Sequence, residues 1–142
     1  MDLKGKLAIH RLKNKFENFP EVDLIKISSI NEELRENEKI IINEVSSSPI
    51  DKIKLEPNNL SKYIFWSLER ILPHIRNGQE IIILDSYHLI FILLKDVEKF
   101  LKHYLETSES FGISLLNRDQ EKYLEIFTSE DSIEFFERNL NF

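Results

Sequence analysis

The segment Asp85-Ser86-Tyr87-His88 holds the three side-chain types that a serine hydrolase uses. Triad members normally converge in space from separated positions of the chain, and Ser86 lacks the flanking glycines of a G-x-S-x-G nucleophile turn. Asp and Ser also favour turns, because they hydrogen-bond to their own backbone. Two apolar runs, 80–84 and 89–94, border the segment. We therefore interpret it as a hairpin connection between buried strands, in which Tyr87 is available as a contact residue.

The histidines and acidic pairs give no stronger sign of chemistry. The four histidines show no i, i+4 pair and no HExxH pattern, and the chain has no cysteine to complete a metal site. Most of the acidic pairs fall on exposed faces of expected helices, where they are ordinary solvating charge. No Walker A, G-x-G-x-x-G or EF-hand pattern occurs. We therefore assign no catalytic residue, metal or cofactor, and we expect a non-catalytic protein.

Length and composition favour one cytoplasmic domain. The chain has 142 residues, of which 42% are hydrophobic and 31% charged, as in a globular protein. Its N-terminus has no long apolar stretch, so no signal peptide is expected. The most apolar window, 81–94, is too short and too polar in its middle to span a bilayer. The absence of cysteine also suits a reducing compartment.

The net charge of −6 is unevenly distributed. Residues 76–142 contain seven Lys and Arg against thirteen Asp and Glu, whereas residues 1–20 are basic. An acidic C-terminal half would repel the phosphate backbone of nucleic acid, but it would suit a basic protein partner. The alternative is that this charge only keeps the protein soluble.

The N-terminal half reads as mainly helical. Apolar spacing predicts a helix over 2–18, which we expect to pack on the core rather than to bind a membrane, and a further helix from about Asn31 to Val45. Residues 22–28 favour a short strand or an extended segment. The sequence Ser46-Ser47-Ser48-Pro49 is a clear break. It divides the single domain 1–142 into a helical region over residues 1–45, a loop over 46–59 with a possible short strand at Lys52–Leu55, and an α/β region over 60–142.

The C-terminal half reads as an α/β region. A helix is predicted from about Leu60 to Leu72, where Pro73 ends its regular portion. Four strands are predicted at 80–84, 89–94, 111–116 and 122–128, with a helix over 96–106 between the two pairs. A final helix is expected from Ser129 or Asp131, carrying Ile133, Phe136 and Leu140. The predicted class is α+β, in which N-terminal helices precede a ββαββα unit with a mostly antiparallel four-stranded sheet.

One stretch of the chain resembles a known group of proteins. The order "YIFWSLERILP", "EIIILDSYHLIFIL", a helix, "FGISLLNRD" and "EKYLEIFTSED", within residues 61–128, is similar to that of small bacterial immunity-type α+β proteins of polymorphic-toxin systems. The resemblance implies a cytoplasmic bacterial protein that neutralises a cognate toxin by direct binding. No functional residue of that group is assigned to a position in this chain. The alternatives are a small-molecule-binding or regulatory domain with a pocket between sheet and helices, or an enzyme without recognisable motifs.

If the protein binds a basic toxin domain, its contact surface is expected in the acidic C-terminal half. The predicted contact residues are carboxylates on or beside the last hairpin and along the expected final helix, together with one exposed aromatic side chain: Asp119, Glu121, Glu125, Glu130, Asp131, Glu134, Glu137 and Tyr87. Within a helix, Glu130, Glu134 and Glu137 would share one face.

Overall fold

The computed structural model describes residues 2–44 and 48–140. Over these ranges the helices are α1 (Leu3–Glu17), α2 (Ile30–Glu33), α3 (Glu36–Ile42), α4 (Leu60–Ile71) and α5 (Val97–Thr107). A short 3-10 turn, Leu72–His74, follows α4, because Pro73 cannot continue the regular helix. Asp96 caps α5, because its side chain accepts a hydrogen bond from the Lys99 backbone N–H at 3.2 Å.

The strands form one antiparallel sheet. They are β1 (Val22–Ser29), β2 (Asp51–Lys54), β3 (Glu80–Asp85), β4 (His88–Leu94), β5 (Ile113–Asn117), β6 (Lys122–Thr128) and β7 (Ser132–Asn139). Their order across the sheet is β1-β4-β3-β5-β6-β7-β2. The predicted α+β class with helices packed on an antiparallel sheet is confirmed, and the described sheet has seven strands.

The main hydrophobic core lies between one face of the sheet and the helices α1, α4 and α5. Alternate strand residues, such as Ile81 and Ile83 of β3, point into it and are fully buried. Phe16 of α1, Ile71 of α4 and Phe100 of α5 are equally buried on the helix side. The alternation of strand side chains therefore gives this face its continuous apolar surface.

The short helices α2 and α3 cover the middle of the other face. Their apolar residues pack on Ile82, Phe91 and Leu116 of the sheet. The prediction of a single helix from about Asn31 to Val45 is wrong within the described residues, because Leu34 adopts an extended conformation between α2 and α3. The break is stabilised by buried Glu38, which accepts a hydrogen bond from the Arg35 backbone N–H at 2.9 Å and so caps α3. Val45, Ser46 and Ser47, which belong to the predicted helix end and the following break, lie outside the described residues.

The expected final helix is wrong, because residues 132–139 form β7. The predicted helix used the spacing of Ile133, Phe136 and Leu140. In the structure Ile133 and Phe135 point together into the main core, which is the two-residue period of a strand. The possible short strand near Lys52–Leu55 corresponds to β2, which pairs with one side of β7. Two partner strands satisfy the backbone of β7, and this tertiary pairing outweighs the local helical spacing.

Both edges of the sheet are poorly suited to further strand pairing. The register of β1 on β4 shifts between Leu24 and Lys26, which leaves Ile25 as an exposed bulge. The opposite edge, β2, has only four residues, and Lys52 and Lys54 are exposed there. Bulges, short edge strands and edge lysines hinder edge-to-edge association.

Within the described ranges, none of the helices combines the length and the apolar character needed to cross a membrane.

Candidate functional site

The structure separates the predicted contact residues onto two ends of the sheet. The β6–β7 turn contains Glu130 and Asp131, and it lies at the end where Thr128 pairs with Ile133. The other end of this hairpin is about 20 Å away, because β6 extends over six residue steps of about 3.4 Å each. We refer to the end that contains the β6–β7 turn as the acidic end, defined by Asp85, Glu109, Glu125, Glu130 and Asp131.

Five predicted contact residues lie at or beside the acidic end, and three do not. In addition to the two turn carboxylates, Glu125 lies near the end of β6, and Glu134 pairs with Phe127 beside the β6–β7 turn. Tyr87 lies in the β3–β4 turn at the same end. The remaining three, which lie at or near the opposite end of the sheet, are Asp119 and Glu121 in the β5–β6 turn and Glu137 in β7.

The prediction that Glu130, Glu134 and Glu137 share one face of a helix is wrong. Glu134 and Glu137, three residues apart in a strand, point to opposite faces of the sheet. Glu137 lies on the main-core side, where it contacts His74. The acidic surface is therefore assembled from turns and strand ends.

The Asp85–His88 segment is a tight turn, as predicted. Asp85 pairs with His88 at the end of the β3–β4 ladder. Ser86 has a φ of 53°, in the left-handed region, and Tyr87 is 80% exposed. The backbone carbonyl of Tyr87 accepts a hydrogen bond from the Ile30 N–H at 2.9 Å, which fixes the turn against the start of α2.

A cleft opens at the acidic end because β3 and β5 diverge. These strands pair only through Ile82 with Leu116 and Ile83 with Leu115. Beyond these pairs they leave a space of about 830 Å³, which we call the β3–β5 cleft. Its walls come from α1, the ends of β3, α5 and β6, and the chain leading into β5; they include Lys15, Asp85, Ser86, Tyr104, Glu109, Ser114, Glu125 and Phe127.

The carboxylates of the acidic end are mostly uncompensated. Asp85 forms an ion pair with Lys15 at 3.7 Å. In the described portion of the chain, Glu109, Glu125, Glu130 and Asp131 form no ion pair. The strand register also places Lys54 opposite Ser132 and Lys52 opposite Glu134, so both lysines of β2 lie at or beside this end. The acidic end therefore carries an excess of negative charge.

Two tyrosines add hydroxyl groups beside these carboxylates. Tyr123 donates a hydrogen bond to Glu125 Oε1 at 3.1 Å. Burial and the charge of Glu125 raise the pKa of Tyr123, so it stays a neutral donor. Tyr104 lines the cleft and is only 6% exposed, but its hydroxyl makes no hydrogen bond to a described residue. Burial and the charge of Asp85 raise the pKa of Tyr104.

Glu137, by contrast, is held by its neighbours. One oxygen lies 2.9 Å from His74 Nε2 and the other 2.9 Å from Lys122 Nζ. Asn117, which is fully buried, donates a hydrogen bond to the His74 carbonyl at 2.8 Å. These contacts fasten the 3-10 turn to β5 and β7, so Glu137 is poorly placed to contact a partner.

Sequence reasoning missed several residues of the cleft. Tyr104 has the spacing of a core helix position, and Glu109 lies in a short polar loop without a motif. The interpretation of Asp85 as a turn residue is correct, but Asp85 also lines the cleft. Among the described residues, no group of three His, Asp or Glu side chains is placed to hold a metal ion.

The fold and the surface define an α+β protein with an acidic cleft at one end of an antiparallel sheet. Comparison with protein-family models, with curated proteins and with solved structures gives no significant match for this chain.

Proposed function

We propose that the protein is a non-catalytic binding protein of the immunity type, which neutralises a basic toxin domain by binding it at the acidic end. The observation that carries this proposal is the set of four carboxylates, Glu109, Glu125, Glu130 and Asp131, that form no ion pair among the described residues. A basic partner supplies the missing counter-charges. The bacterial and cytoplasmic setting follows from the resemblance alone.

Aromatic side chains give the same surface an apolar component. Tyr87 is 80% exposed and Phe127 is 49% exposed, and both lie at this end of the sheet. Exposed aromatic residues are enriched at protein interfaces and often carry much of the binding energy. The carboxylates then accelerate and orient association, while Tyr87 and Phe127 contribute contact area.

The test uses the product of the gene immediately upstream of this one, produced together with the protein in cells. We expect that product to arrest growth alone, to be neutralised by this protein, and to form a stoichiometric complex with it in size-exclusion chromatography. Absence of both protection and complex would remove the immunity assignment.

A matched pair of variants locates the contact surface. Glu130→Gln with Asp131→Asn removes two charges from the turn at the acidic end, and Asp119→Asn with Glu121→Gln removes two from the turn at the opposite end. We expect the first to slow association with the captured toxin about tenfold at low salt and to flatten its salt dependence. The second should leave both unchanged. Equal effects of the two variants would show that the acidic end is not the contact surface.

A second candidate is a small-molecule-binding or regulatory domain. The cleft volume of about 830 Å³ favours it, because small-ligand sites span roughly 300–1,000 Å³. If this is the function, a metabolite extract should raise the melting temperature of the protein, and Tyr104→Phe should reduce that rise. A melting temperature unaffected by the extract would count against this candidate.

A further inference from the structure

The segment between the 3-10 turn and β3 contains the dipeptide Asn77-Gly78, which is the only place in the sequence where glycine follows asparagine. Both residues are exposed, and Gly78 has a φ of 88°. Beyond the neighbours of Gly78 in the chain, no atom lies within 4 Å of the position that a Cβ atom would take there. Because glycine has no Cβ atom, its backbone nitrogen is little hindered. The turn therefore places an amide carbon and an accessible nitrogen nucleophile in adjacent residues.

Two hydrogen bonds hold these reacting groups in the folded protein. Asn77 Oδ1 accepts a hydrogen bond from the Val97 backbone N–H at 2.8 Å, and the Gly78 N–H donates to the Leu94 carbonyl at 2.7 Å. Attack of the Gly78 nitrogen on Asn77 Cγ requires both bonds to open, because the side chain has to rotate and the nitrogen has to lose its proton. The reaction therefore starts from an open form of the turn, whose population is set by local stability.

We propose that Asn77 is a modification site, at which asparagine is converted into aspartate and isoaspartate. Hydroxide removes the proton of the Gly78 N–H, and the nitrogen forms a bond to Asn77 Cγ. The bond from Cγ to Nδ2 breaks, and Nδ2 takes up a proton from water and leaves as ammonia, so that a succinimide ring remains. Water then opens the ring. Cleavage between the Gly78 nitrogen and Cγ gives aspartate, and cleavage between the same nitrogen and the backbone carbonyl carbon of Asn77 gives isoaspartate.

The two products differ in their effect on the junction between β4 and α5. Aspartate keeps an oxygen for the Val97 N–H, and its negative charge lies beside the N-terminus of α5, where it is favourable. Isoaspartate adds a methylene group to the main chain, so Gly78 cannot keep its bond to Leu94 while the carboxylate faces Val97. A molecule that carries isoaspartate should therefore be less stable than one that carries aspartate.

This inference does not rest on the proposed function. Leu94, the partner of Gly78, pairs with Val22 at one end of the sheet, whereas the Asp85–His88 turn lies at the other end of the β3–β4 ladder. The modification therefore lies away from the acidic end, and its outcome is independent of toxin binding.

The test is incubation of the full chain at mildly alkaline pH, both folded and in urea, followed by peptide mapping with mass spectrometry. The mass gain from replacing NH₂ by OH marks the products, and a carboxyl methyltransferase specific for isoaspartate labels that isomer. We expect Asn77 to react before any other asparagine, about tenfold more slowly in the folded protein than in the unfolded chain. The exposed residues Asn14 and Asn58, which precede larger residues, are internal controls. Earlier modification of either control, or a folded protein that stays unmodified after the unfolded chain has reacted completely, would overturn the proposal.

Two substitutions at Val97 test the protecting hydrogen bond. Val97→Pro removes the N–H that holds Asn77 Oδ1; proline is tolerated at the first position of a helix, and Asp96 before it is extended, as a residue before proline has to be. Val97→Ala is the matched control, because it removes side-chain packing but keeps the N–H. We expect Val97→Pro to accelerate the folded-state reaction about fivefold relative to Val97→Ala. Equal rates in the two variants would refute protection by this bond. Equal rates for the folded and the unfolded wild type would refute it too, whether or not Val97→Pro folds.

The consequence for stability is tested on the products. Chromatography of the incubated protein enriches the isoaspartate form, and Asn77→Asp supplies the aspartate form directly. We expect Asn77→Asp to melt close to the wild type and the isoaspartate form to melt several degrees lower. Equal melting temperatures of the two forms would refute the role assigned to the Asn77-Gly78 turn in holding α5 to β4.

Discussion

The ion pair between Glu38 and Arg118 fastens α3 to the β5–β6 turn, and its removal should strongly destabilise the protein. Glu38 is 1% exposed. Its carboxylate accepts hydrogen bonds from Arg118 Nε at 2.8 Å, from an Arg118 terminal nitrogen at 2.9 Å and from the Arg35 backbone N–H at 2.9 Å. Arg118→Met would leave this buried carboxylate with the backbone N–H alone.

The expected loss follows from the burial of the two partners. Breaking a buried ion pair by removing one partner costs about 3–5 kcal/mol, because the other charge stays buried. The side chain of Arg118 is 24% exposed, so water weakens the pair and the lower end of this range applies. We expect Arg118→Met to reduce the free energy of unfolding by about 3 kcal/mol. The melting temperature should fall by roughly 10 °C.

The loss should also depend on pH. Burial alone would raise the pKa of Glu38, but the hydrogen bonds from Arg118 and Arg35 hold it below its usual value. A lowered pKa stabilises the folded state above the pKa of Glu in the unfolded chain, about 4.3, and this stabilisation is lost as the pH falls through the folded-state pKa. Without Arg118, burial raises the pKa of Glu38. The difference between wild type and variant should therefore be largest near neutral pH. It should begin to shrink above about pH 4.3, as the pH falls through the raised pKa of Glu38 in the variant, and shrink further as the pH falls through the lowered pKa of the wild type.

Urea unfolding at about pH 7 and about pH 4 measures both effects. Arg11→Met, which changes an exposed arginine of α1, is the control and should alter stability by less than about 0.5 kcal/mol. The double variant Glu38→Leu with Arg118→Met removes both charges and should recover much of the loss. A loss below about 1 kcal/mol, or one that stays constant with pH, would refute the reasoning.

Three further substitutions test local packing, each by urea unfolding at neutral pH. Gly112→Ala places a Cβ atom 2.6 Å from the Ile126 carbonyl oxygen, so it should reduce the free energy of unfolding by about 1–3 kcal/mol. An unchanged free energy of unfolding would mean that the chain at Gly112 can move away from β6 at no cost. Ser67 is fully buried and its hydroxyl has no hydrogen-bond partner among the described residues; Ser67→Ala should therefore stabilise the protein by about 1 kcal/mol, and a destabilisation would reveal a partner. Asn117→Ala removes the buried amide that donates to Gln79 Oε1 at 3.1 Å and should cost about 2–3 kcal/mol; a loss no larger than for an exposed Asn would contradict its structural role.

The elements that sequence reasoning located correctly are those with local signals. The helix α4 has a regular apolar period, α5 has Asp96 as its cap, and the Asp85–His88 turn lies between two apolar runs. The strand β7 was predicted as a helix, because the spacing of Ile133 and Phe136 also matches a helical period. Its conformation is decided by pairing with β6 on one side and with β2, which lies far away in sequence, on the other. Neither pairing can be read from the apolar spacing of the segment itself.

The candidate site shows the same limit. Composition alone indicates an acidic C-terminal half, but the register of β6 and β7 decides which carboxylates meet. That register brings Glu130 and Asp131 to the acidic end and separates them from Asp119. Tyr104 has the period of a core residue, and nothing in the sequence shows that its hydroxyl opens into a cleft. The divergence of two strands, which creates the cleft, is a property of tertiary structure.

The position of β2 at the far edge of the sheet has a consequence for the newly made chain. This strand leaves the ribosome long before β7, the strand with which it pairs. At roughly 5–20 residues per second the interval lasts several seconds, and during it Ile53 has no neighbouring strand to cover it. Lys52 and Lys54 flank Ile53, and flanking charges of this kind discourage pairing with other nascent chains. We therefore expect both lysines to protect the unfinished protein from aggregation, a role that ends once residues 132–139 have joined the sheet.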